Sequence, residues 1–277
     1  MNPKRAKTLA ATIWYVGGGL AAILICIPFF WMLSTSLKAR GALMAIPIEW
    51  VPREPTFEAY TRIFTLFPFA RAMTNPLAVA VGVTGLSILS AARAAFAFTK
   101  SPFRGRRALF GTYLTTMMMP FQVVVIPLYL IMRQAGLYDR LGGLMIPSIF
   151  NAFAIFMLCQ TMRGIPDDYL DAASIDGAGN GLIFFRIILP MSGTTLATLA
   201  VITFMGAWND YFWPLVMLAD KQKATLPIAL SKLNGQYAQD YGVLMAGSLL
   251  SILPILGLYL FAQPYFKAGL QVGGVKG

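Results

Sequence analysis

Four aspartates crowd the segment DDYLDAASIDGAGNGLIFFRIILP, residues 167–190, in a chain that is 57% hydrophobic. Three of them, Asp167, Asp168 and Asp171, form D-D-x-x-D, a spacing that can hold magnesium for diphosphate chemistry. Such chemistry needs two carboxylate clusters that face each other, and the other acids of this sequence are dispersed. The pattern therefore gives a magnesium-dependent membrane enzyme little support, and we assign no metal ligand and no catalytic residue.

The acidic segment has two other interpretations: a solvated loop between membrane spans, or a short helix that docks into a partner protein. The residues from Asp168 to Gly179 predict such a helix, because Pro166 precedes them and a glycine-rich turn follows. Small side chains let another backbone approach closely. The helix carries five of them: Ala172, Ala173, Ser174, Gly177 and Ala178. A solvated loop explains the charges but not these small residues.

The composition of the whole chain is that of a membrane protein. Its 277 residues include 12% charged residues and 20 Phe, and the mean hydropathy is +0.67. A soluble domain of this length cannot bury so much apolar surface. The sequence contains no His, and Cys26 and Cys159 lie alone in apolar stretches, which argues against a zinc or redox cluster. The net charge of +11 is spread over loops, which suits membrane lipids and argues against nucleic acid.

Six apolar stretches are long enough to cross a hydrocarbon core about 30 Å thick as helices. They cover approximately residues 9–34, 72–98, 108–132, 143–162, 194–219 and 242–266. The third stretch contains Pro120 and Pro127, so we expect a kink in it. The sequence therefore predicts an all-α, polytopic membrane protein with six transmembrane helices in one domain, residues 1–277.

Six spans place both termini on one side of the membrane, and the local density of basic residues assigns that side to the cytoplasm. Arg93, inside the second span, is expected to snorkel towards the same side. The acidic segment then lies in a cytoplasmic loop, residues 163–193, and residues 267–277 form a cytoplasmic tail. On the opposite side, residues 55–64 predict a short interfacial helix and residues 233–242 a polar, hydrated loop. The basic residues that set this orientation are Lys4, Arg5, Lys7, Lys100, Arg104, Arg106 and Arg107.

The acidic segment resembles the EAA loop of ABC importer permeases, whose pattern is E-A-A, three residues, Gly, nine residues, then I-x-L-P. Four other segments resemble the MalG-like permeases of carbohydrate importers: TFEAY (56–60), VVVIPLYLIMRQAGL (123–137), AWNDYFWPL (207–215) and GLQVGGVKG (269–277). The resemblance covers nearly the whole chain and implies the type I ABC importer permease fold. In the loop it falls on Asp171, Ala172, Ala173, Asp176, Gly177, Ala178, Ile187, Leu189 and Pro190. Asp171 stands where the family usually has Glu, so the charge is kept on a shorter side chain.

The resemblance also implies the partners and the location. These are a second, MalF-like permease, two cytoplasmic ATPase subunits and an extracytoplasmic sugar-binding protein, assembled in the bacterial inner membrane. The chain lacks a G-x-x-x-x-G-K-[ST] loop, so we expect it not to be an enzyme and to bind no cofactor, with ATP and magnesium held by the ATPase subunits. The loop residues named above are expected to contact the ATPases. A tail contact between the ATPases is expected at Gly273, Gly274, Val275 and Lys276, and a binding-protein contact at Asn234, Gly235, Gln236 and Tyr237.

A sugar pathway is the least determined feature of the sequence. Trp208 offers a stacking face for a sugar ring, and Asn209 and Asp210 offer hydrogen bonds. The same residues also fit an aromatic belt at the membrane surface, and Gln122 and Asn151 are equally open to both interpretations. Two other functions stay possible: an ABC permease for a non-sugar solute, or an ion-coupled secondary transporter. The transporter is disfavoured because Asp210 is the one carboxylate that the predicted spans supply.

Overall fold

The computed structural model describes residues 3–43, 46–236 and 240–273, and describes side-chain surroundings for residues 11–43, 46–233 and 240–265. The described residues are mostly helical and include no strand, which confirms the predicted all-α class. The helices are α1 (Pro3–Ser36), α2 (Glu58–Leu66), α3 (Phe69–Lys100), α4 (Arg106–Thr115), α5 (Phe121–Gln134), α6 (Leu141–Met145), α7 (Ala152–Arg163), α8 (Asp168–Ile175), α9 (Asn180–Ile183), α10 (Leu189–Met191), α11 (Gly193–Trp208), α12 (Phe212–Met217), α13 (Leu226–Gln236) and α14 (Tyr241–Gly273).

Three of these helices are long and apolar enough to cross a membrane by themselves. They are α1 over Ala11–Ser36, α3, and α14 over Tyr241–Tyr265. Three pairs of shorter helices pass the same test only together, and each pair is bent. The bends are 104° between Arg106–Met118 and Phe121–Gln134, 41° between Leu141–Ser148 and Ala152–Arg163, and 77° between Asn180–Met191 and Gly193–Trp208. The described residues therefore give six candidate spans if each bent pair counts as one.

The sharpest bend lies at Met119 and Pro120, inside the predicted third span. Both residues have extended backbone, with ψ of 118° and 137°. A residue before proline is driven out of the helical region, and here Pro120 itself is extended as well. Pro127, by contrast, lies inside α5 without interrupting it. The expected kink is thus a corner between two helices.

The predicted fifth span, residues 194–219, is not one helix, because α11 ends at Trp208 and α12 begins only at Phe212. A different helical stretch, Asn180–Met191, precedes α11 and meets it at 77°. The buried residue Ser192 forms this corner. Its backbone N–H and its hydroxyl both donate to the carbonyl oxygen of Ile188, at 3.0 and 2.8 Å. Both polar groups of Ser192 are therefore hydrogen-bonded, as buried polar groups need to be in apolar surroundings.

The described residues form two compact units, and the first comprises Met1–Phe69 with Leu230–Ile252. The short helix expected over residues 55–64 is present there as α2. The expectation of a hydrated loop over residues 233–242 is wrong in two respects. α13 continues to Gln236, and the side chain of Asp240 is only 6% exposed. Its carboxylate forms an ion pair with Arg62 at 2.6 Å and accepts a hydrogen bond from Arg40 at 3.1 Å, which links the residue before α14 to α2 and to the segment after α1.

We expect Asp240→Asn to destabilise the first unit by about 1–3 kcal/mol, because the two guanidinium groups lose their shared counter-ion in a buried place. The amide keeps the size of the side chain and an oxygen that can still accept the bond from the Val243 N–H at 3.4 Å. The melting temperature of the purified protein measures the effect. Glu54→Gln is the matched control, because Glu54 is exposed in the same unit. An equal shift for both variants would contradict the prediction.

The second unit comprises Ala70–Ala229 with Leu253–Gly277, and its described residues include two apolar clusters. One cluster joins the C-terminal half of α3 to α7, α9, α11 and the turn before α10, and we call it the α3–α7 cluster. Its fully buried members are Ala91, Ala92, Ala95, Ala154, Ile155, Leu158, Cys159, Met162, Ile183, Ile188 and Leu199. The other cluster joins the first half of α3 to α5, α6 and α12 through Val79, Val83, Val125, Met132, Leu144, Trp213 and Met217. The first cluster supports α8.

A carboxylate in the turn between α5 and α6 organises the loop after α12. Asp139 accepts at Oδ1 from the N–H groups of Ala219 and Asp220, each at 3.1 Å, and at Oδ2 from the Lys223 ammonium at 2.7 Å. The hydrogen bond from Lys223, followed by the N–H of Asp220, lowers the pKa of Asp139 below its usual value, against an opposing effect of desolvation. Asp139 has a φ of 55°, a left-handed conformation that Asp tolerates better than most residues.

A pH dependence of stability follows from this lowered pKa. A depressed folded pKa stabilises the protein above the unfolded pKa of about 3.9, and the contribution is lost as the pH falls through the folded value. We expect Asp139→Asn to lower the melting temperature by a few degrees at pH 6 and by less at pH 3. Thermal unfolding at both pH values, with Lys223→Met as the partner variant, measures this. A difference that stays constant between the two pH values would contradict the assignment.

Candidate functional site

The candidate site is built on α8, which rests on the α3–α7 cluster through one side. Leu170 and Ala173 pack against that cluster, and so does Ala178 just beyond the helix. The spacing of three residues places Leu170 and Ala173 on the same helix face. On the other side, Asp171, Ala172 and Asp176 are exposed. The predicted small-residue positions are therefore divided between a buried and an exposed face.

Two apolar side chains accompany the exposed acids. Tyr169 is 52% exposed and Ile175 is 86% exposed. With Ala172 they recur every three residues, which places them along one helix face. We call Tyr169, Asp171, Ala172, Ile175 and Asp176 the exposed face of α8. An apolar and acidic face of this kind suits contact with another protein surface. The sequence prediction omitted Tyr169 and Ile175, although their helical spacing could have identified them.

The C-terminal end of α8 is set by Gly177, which has a φ of +82°. The N–H of Ala178 donates to the carbonyl oxygen of Ala173 at 2.9 Å, the long bond that closes a Schellman motif. The helix therefore ends at Ile175, four residues before the predicted end at Gly179. A Cβ added at Gly177 would meet no atom of the described chain within 4 Å. Within the chain, the reason for glycine is therefore the backbone conformation.

The second half of the predicted loop returns the chain to α11. Phe184–Ile188 form a π-helical turn that contains Ile187, and Leu189 and Pro190 follow in α10. Pro190 has no N–H for the carbonyl of Arg186, and a wider turn directly before it accommodates the missing bond. Leu189 packs against the α3–α7 cluster, whereas Pro190 is exposed. These residues position α8 and the corner at Ser192.

The residues between α7 and α8 are fixed by a lysine that the sequence prediction treated only as a topological charge. Lys100 ends α3, and its side chain is 4% exposed. Its ammonium donates to the carbonyl oxygen of Ile165 and to Oδ1 of Asp167, both at 2.6 Å. Asp167 precedes α8 but makes no side-chain cap bond to it. Among the described residues no group of three or more acids, Cys or His is arranged to hold a metal ion.

The pathway candidates have local structural partners. Asn209 donates to the carbonyl oxygen of Met205 at 3.0 Å, and Asp210 accepts from the N–H groups of Phe212 and Trp213 at 3.1 and 3.3 Å. These bonds end α11 and begin α12. Trp208 is buried, with its ring stacked on Phe204 at 6.2 Å.

The other two pathway candidates differ in where they lie. Gln122 is exposed and follows Phe121, whose ring lies 5.8 Å from that of Trp213, so Gln122 is brought towards the α11–α12 break. Asn151 instead caps α7, accepting from the N–H of Ala154 at 3.1 Å. The predicted binding-protein residues Asn234, Gly235 and Gln236 fall in the last turn of α13, where only the backbone is described, as it is for Gly273 at the end of α14. Tyr237, Gly274, Val275 and Lys276 lie outside the described residues.

The family of the chain follows from comparison with known proteins. Residues 84–267 match the model of the binding-protein-dependent transport system inner membrane component family. The match includes α8, the corner at Ser192 and the break between α11 and α12. This chain belongs to that family. It is therefore the permease component of an ABC transporter, a multi-pass membrane protein and a transport subunit, not an enzyme.

The permease is also similar to individual proteins over nearly its whole length. The arabinooligosaccharides transport system permease protein AraQ of Halalkalibacterium halodurans is 33% identical to it. This similarity covers 99% of the chain and the whole length of AraQ. The trehalose transport system permease protein SugB of Mycobacterium tuberculosis is 34% identical to it. This similarity covers 96% of the chain and 98% of SugB. Among solved structures, the permease resembles a chain in the crystal structure of a bacterial ABC transporter involved in the import of the acidic polysaccharide alginate. The TM-score of the two chains is 0.83 and their sequence identity is 26%. The superposition covers 95% of the permease and 98% of that chain.

Proposed function

We propose that this permease imports a sugar, of di- or oligosaccharide size or a sugar derivative, as one half of a heterodimeric membrane pore. The observation that carries the proposal is the similarity over nearly the whole chain to permeases whose names specify arabinooligosaccharides and trehalose. The solute is delivered by an extracytoplasmic binding protein and moved by two ATPase subunits. The second permease completes the pathway, to which this chain contributes from the region of Gln122 and Asp210.

We infer further that the exposed face of α8 is the surface that docks on an ATPase subunit. Three observations support this inference. The face combines acidic and apolar side chains that the chain itself leaves exposed. α8 is braced from behind by the α3–α7 cluster, so that a force on it acts on several helices. The segment also carries the residue pattern of the EAA loop. This assignment places α8 and both termini in the cytoplasm.

Copurification with ATPase subunits tests the proposal. The tagged permease is expressed in its native host and solubilised, and the proteins that copurify with it are identified by mass spectrometry. Proteoliposomes with the binding protein are then assayed for uptake of radiolabelled arabinotriose and trehalose. We expect ATPase recovery and ATP-dependent uptake of one sugar. Recovery of the ATPase with uptake of neither sugar would assign the importer to another solute, and failure to recover any ATPase would contradict the proposal.

A further inference from the structure

The contact between Lys100 and the start of α8 joins two elements that are far apart in the sequence. Lys100 is the last residue of α3, and its partners Ile165 and Asp167 precede α8 by a few residues. α8 is thus linked to α3 directly, and not only through the chain from α7. The link is short on both sides, because both donor–acceptor distances are 2.6 Å.

The Lys100 ammonium is buried, so its charge must be compensated by hydrogen bonds and an opposite charge. Its side chain is 4% exposed, and a buried charge is costly unless hydrogen bonds and an opposite charge compensate it. Here a carbonyl oxygen and a carboxylate do so, and a cation at the C-terminal end of α3 also has a favourable interaction with that helix. Breaking the contact would leave the ammonium uncompensated. The contact should therefore persist when α8 moves.

Asp167 bonds to Lys100 and does not cap the helix that follows it. An Asp directly before a helix normally accepts from an N–H of the first turn. The Asp167 side chain makes no such bond, and its Oδ1 accepts from Lys100 instead. Ile165, between the two helices, is buried in the α3–α7 cluster, so its carbonyl is a fixed acceptor. The start of α8 is therefore anchored by one buried side chain and two charge-assisted bonds.

We propose that Lys100 is a positioning residue that transmits displacement of α8 to α3. This inference rests on the proposed function, because it takes α8 to be the surface moved by the ATPase. A push or pull on α8 reaches α3 through the Lys100 bonds without first bending α7. Because α3 is one unbroken helix of 32 residues, a displacement of its end is carried along the span.

Spin labels on the assembled complex test the transmission without any sugar. One label is placed at Leu89→Cys, an exposed position of α3 about 16 Å along the helix from Lys100. A second complex carries Ser174→Cys on exposed α8, and both use a background in which Cys26 and Cys159 are replaced by Ala. The EPR spectrum is recorded without nucleotide and with ATP and vanadate. We expect the Leu89 label to respond to nucleotide and Lys100→Met to abolish that response while ATPase recovery is unchanged.

Three variants make the test specific. Lys100→Arg keeps the charge and should restore the response, and Asp167→Asn keeps an acceptor oxygen and should weaken it. Asp168→Asn is the control, because this neighbouring acid is exposed and makes no ion pair among the described residues. If Lys100→Met fails to assemble, Asp167→Asn carries the test, since it preserves the volume of the site.

The outcomes separate this inference from the proposed function. If the ATPase does not immobilise the Ser174 label, docking on α8 is wrong and the inference about Lys100 falls with it, whereas sugar import is tested separately by ATPase recovery and uptake. If that label is immobilised but the Leu89 label responds equally with and without Lys100, docking stands and transmission through Lys100 is wrong. A wild-type complex with bound ATPase and no response at Leu89 would also overturn the inference.

Discussion

Replacing Gly177 by Leu is expected to weaken binding of the ATPase subunits roughly 5- to 150-fold, while the permease still inserts into the membrane. Two effects combine in this value. The φ of +82° disfavours any residue with a Cβ, and a leucine side chain would project beside the exposed face of α8. Within the permease a Cβ at this position meets nothing within 4 Å, so we expect the steric penalty to arise in the complex. Titration of the solubilised permease with purified ATPase measures the change.

Three other glycine variants distinguish the backbone effect from the steric one. Gly177→Asn adds a side chain but tolerates the left-handed conformation, whereas Gly177→Ala adds little volume and does not. If clearance in the complex matters most, Asn should weaken binding more than Ala. Gly179→Leu is the matched control, because Gly179 has an ordinary φ of −75° and equal space around it. Wild-type affinity for Gly177→Leu would contradict docking at this end of α8.

Reversing the charge of Asp171 is expected to have the second-largest effect. Asp171 is exposed near the start of α8, and the described chain offers it no ion-pair partner. If it pairs with a basic group of the ATPase, Asp171→Lys should weaken binding roughly 10- to 100-fold, since a charge pair at an interface is replaced by repulsion. Asp171→Glu should bind almost as well as the wild type, because it restores the residue typical of the EAA loop. The affinity should also fall as salt is added.

A neighbouring acid controls for the helix itself. Both Asp168 and Asp171 lie in the first turn of α8, where a negative charge stabilises the helix by about 0.3–1 kcal/mol. Asp168→Lys therefore disturbs the helix in the same way but leaves Asp171 in place. Equal losses of affinity for the two lysine variants would assign the effect to the helix and would contradict an ion pair of Asp171 with the ATPase.

Sequence patterns predicted the helical class and the family well, because apolar stretches about 20 residues long and a spaced motif are direct signals. They did not separate Pro120 from Pro127. Both follow apolar residues, and only the extended backbone at Met119 and Pro120 makes one of them a corner. The break after Trp208 was missed for a similar reason. Apolar residues flank Asn209 and Asp210 on both sides and made the stretch read as one span, while the hydrogen bonds of Asp210 start a new helix there.

Side-chain partners were even less visible in the sequence. Asp240 sits in a polar stretch that suggests water, but two arginines from elsewhere in the chain bury it. Lys100 stands at the start of a group of basic residues in the sequence and was used only to orient the spans, because its partners are 65 and 67 residues away. Gly177 was predicted to lie at a close contact with the ATPase, which stays a prediction, and the left-handed turn that it forms was not foreseen. Contacts of this kind depend on tertiary packing, which a single sequence does not show.

The corner at Met119 and Pro120 also constrains how the chain enters the membrane during synthesis. The helical residues before it, Arg106–Met118, and those after it, Phe121–Gln134, are each about 20 Å long, and the hydrocarbon core is about 30 Å thick. Neither arm can therefore be inserted as a complete span when it leaves the ribosome. The first arm must wait at the membrane surface until the second has been translated, and the two then partition together.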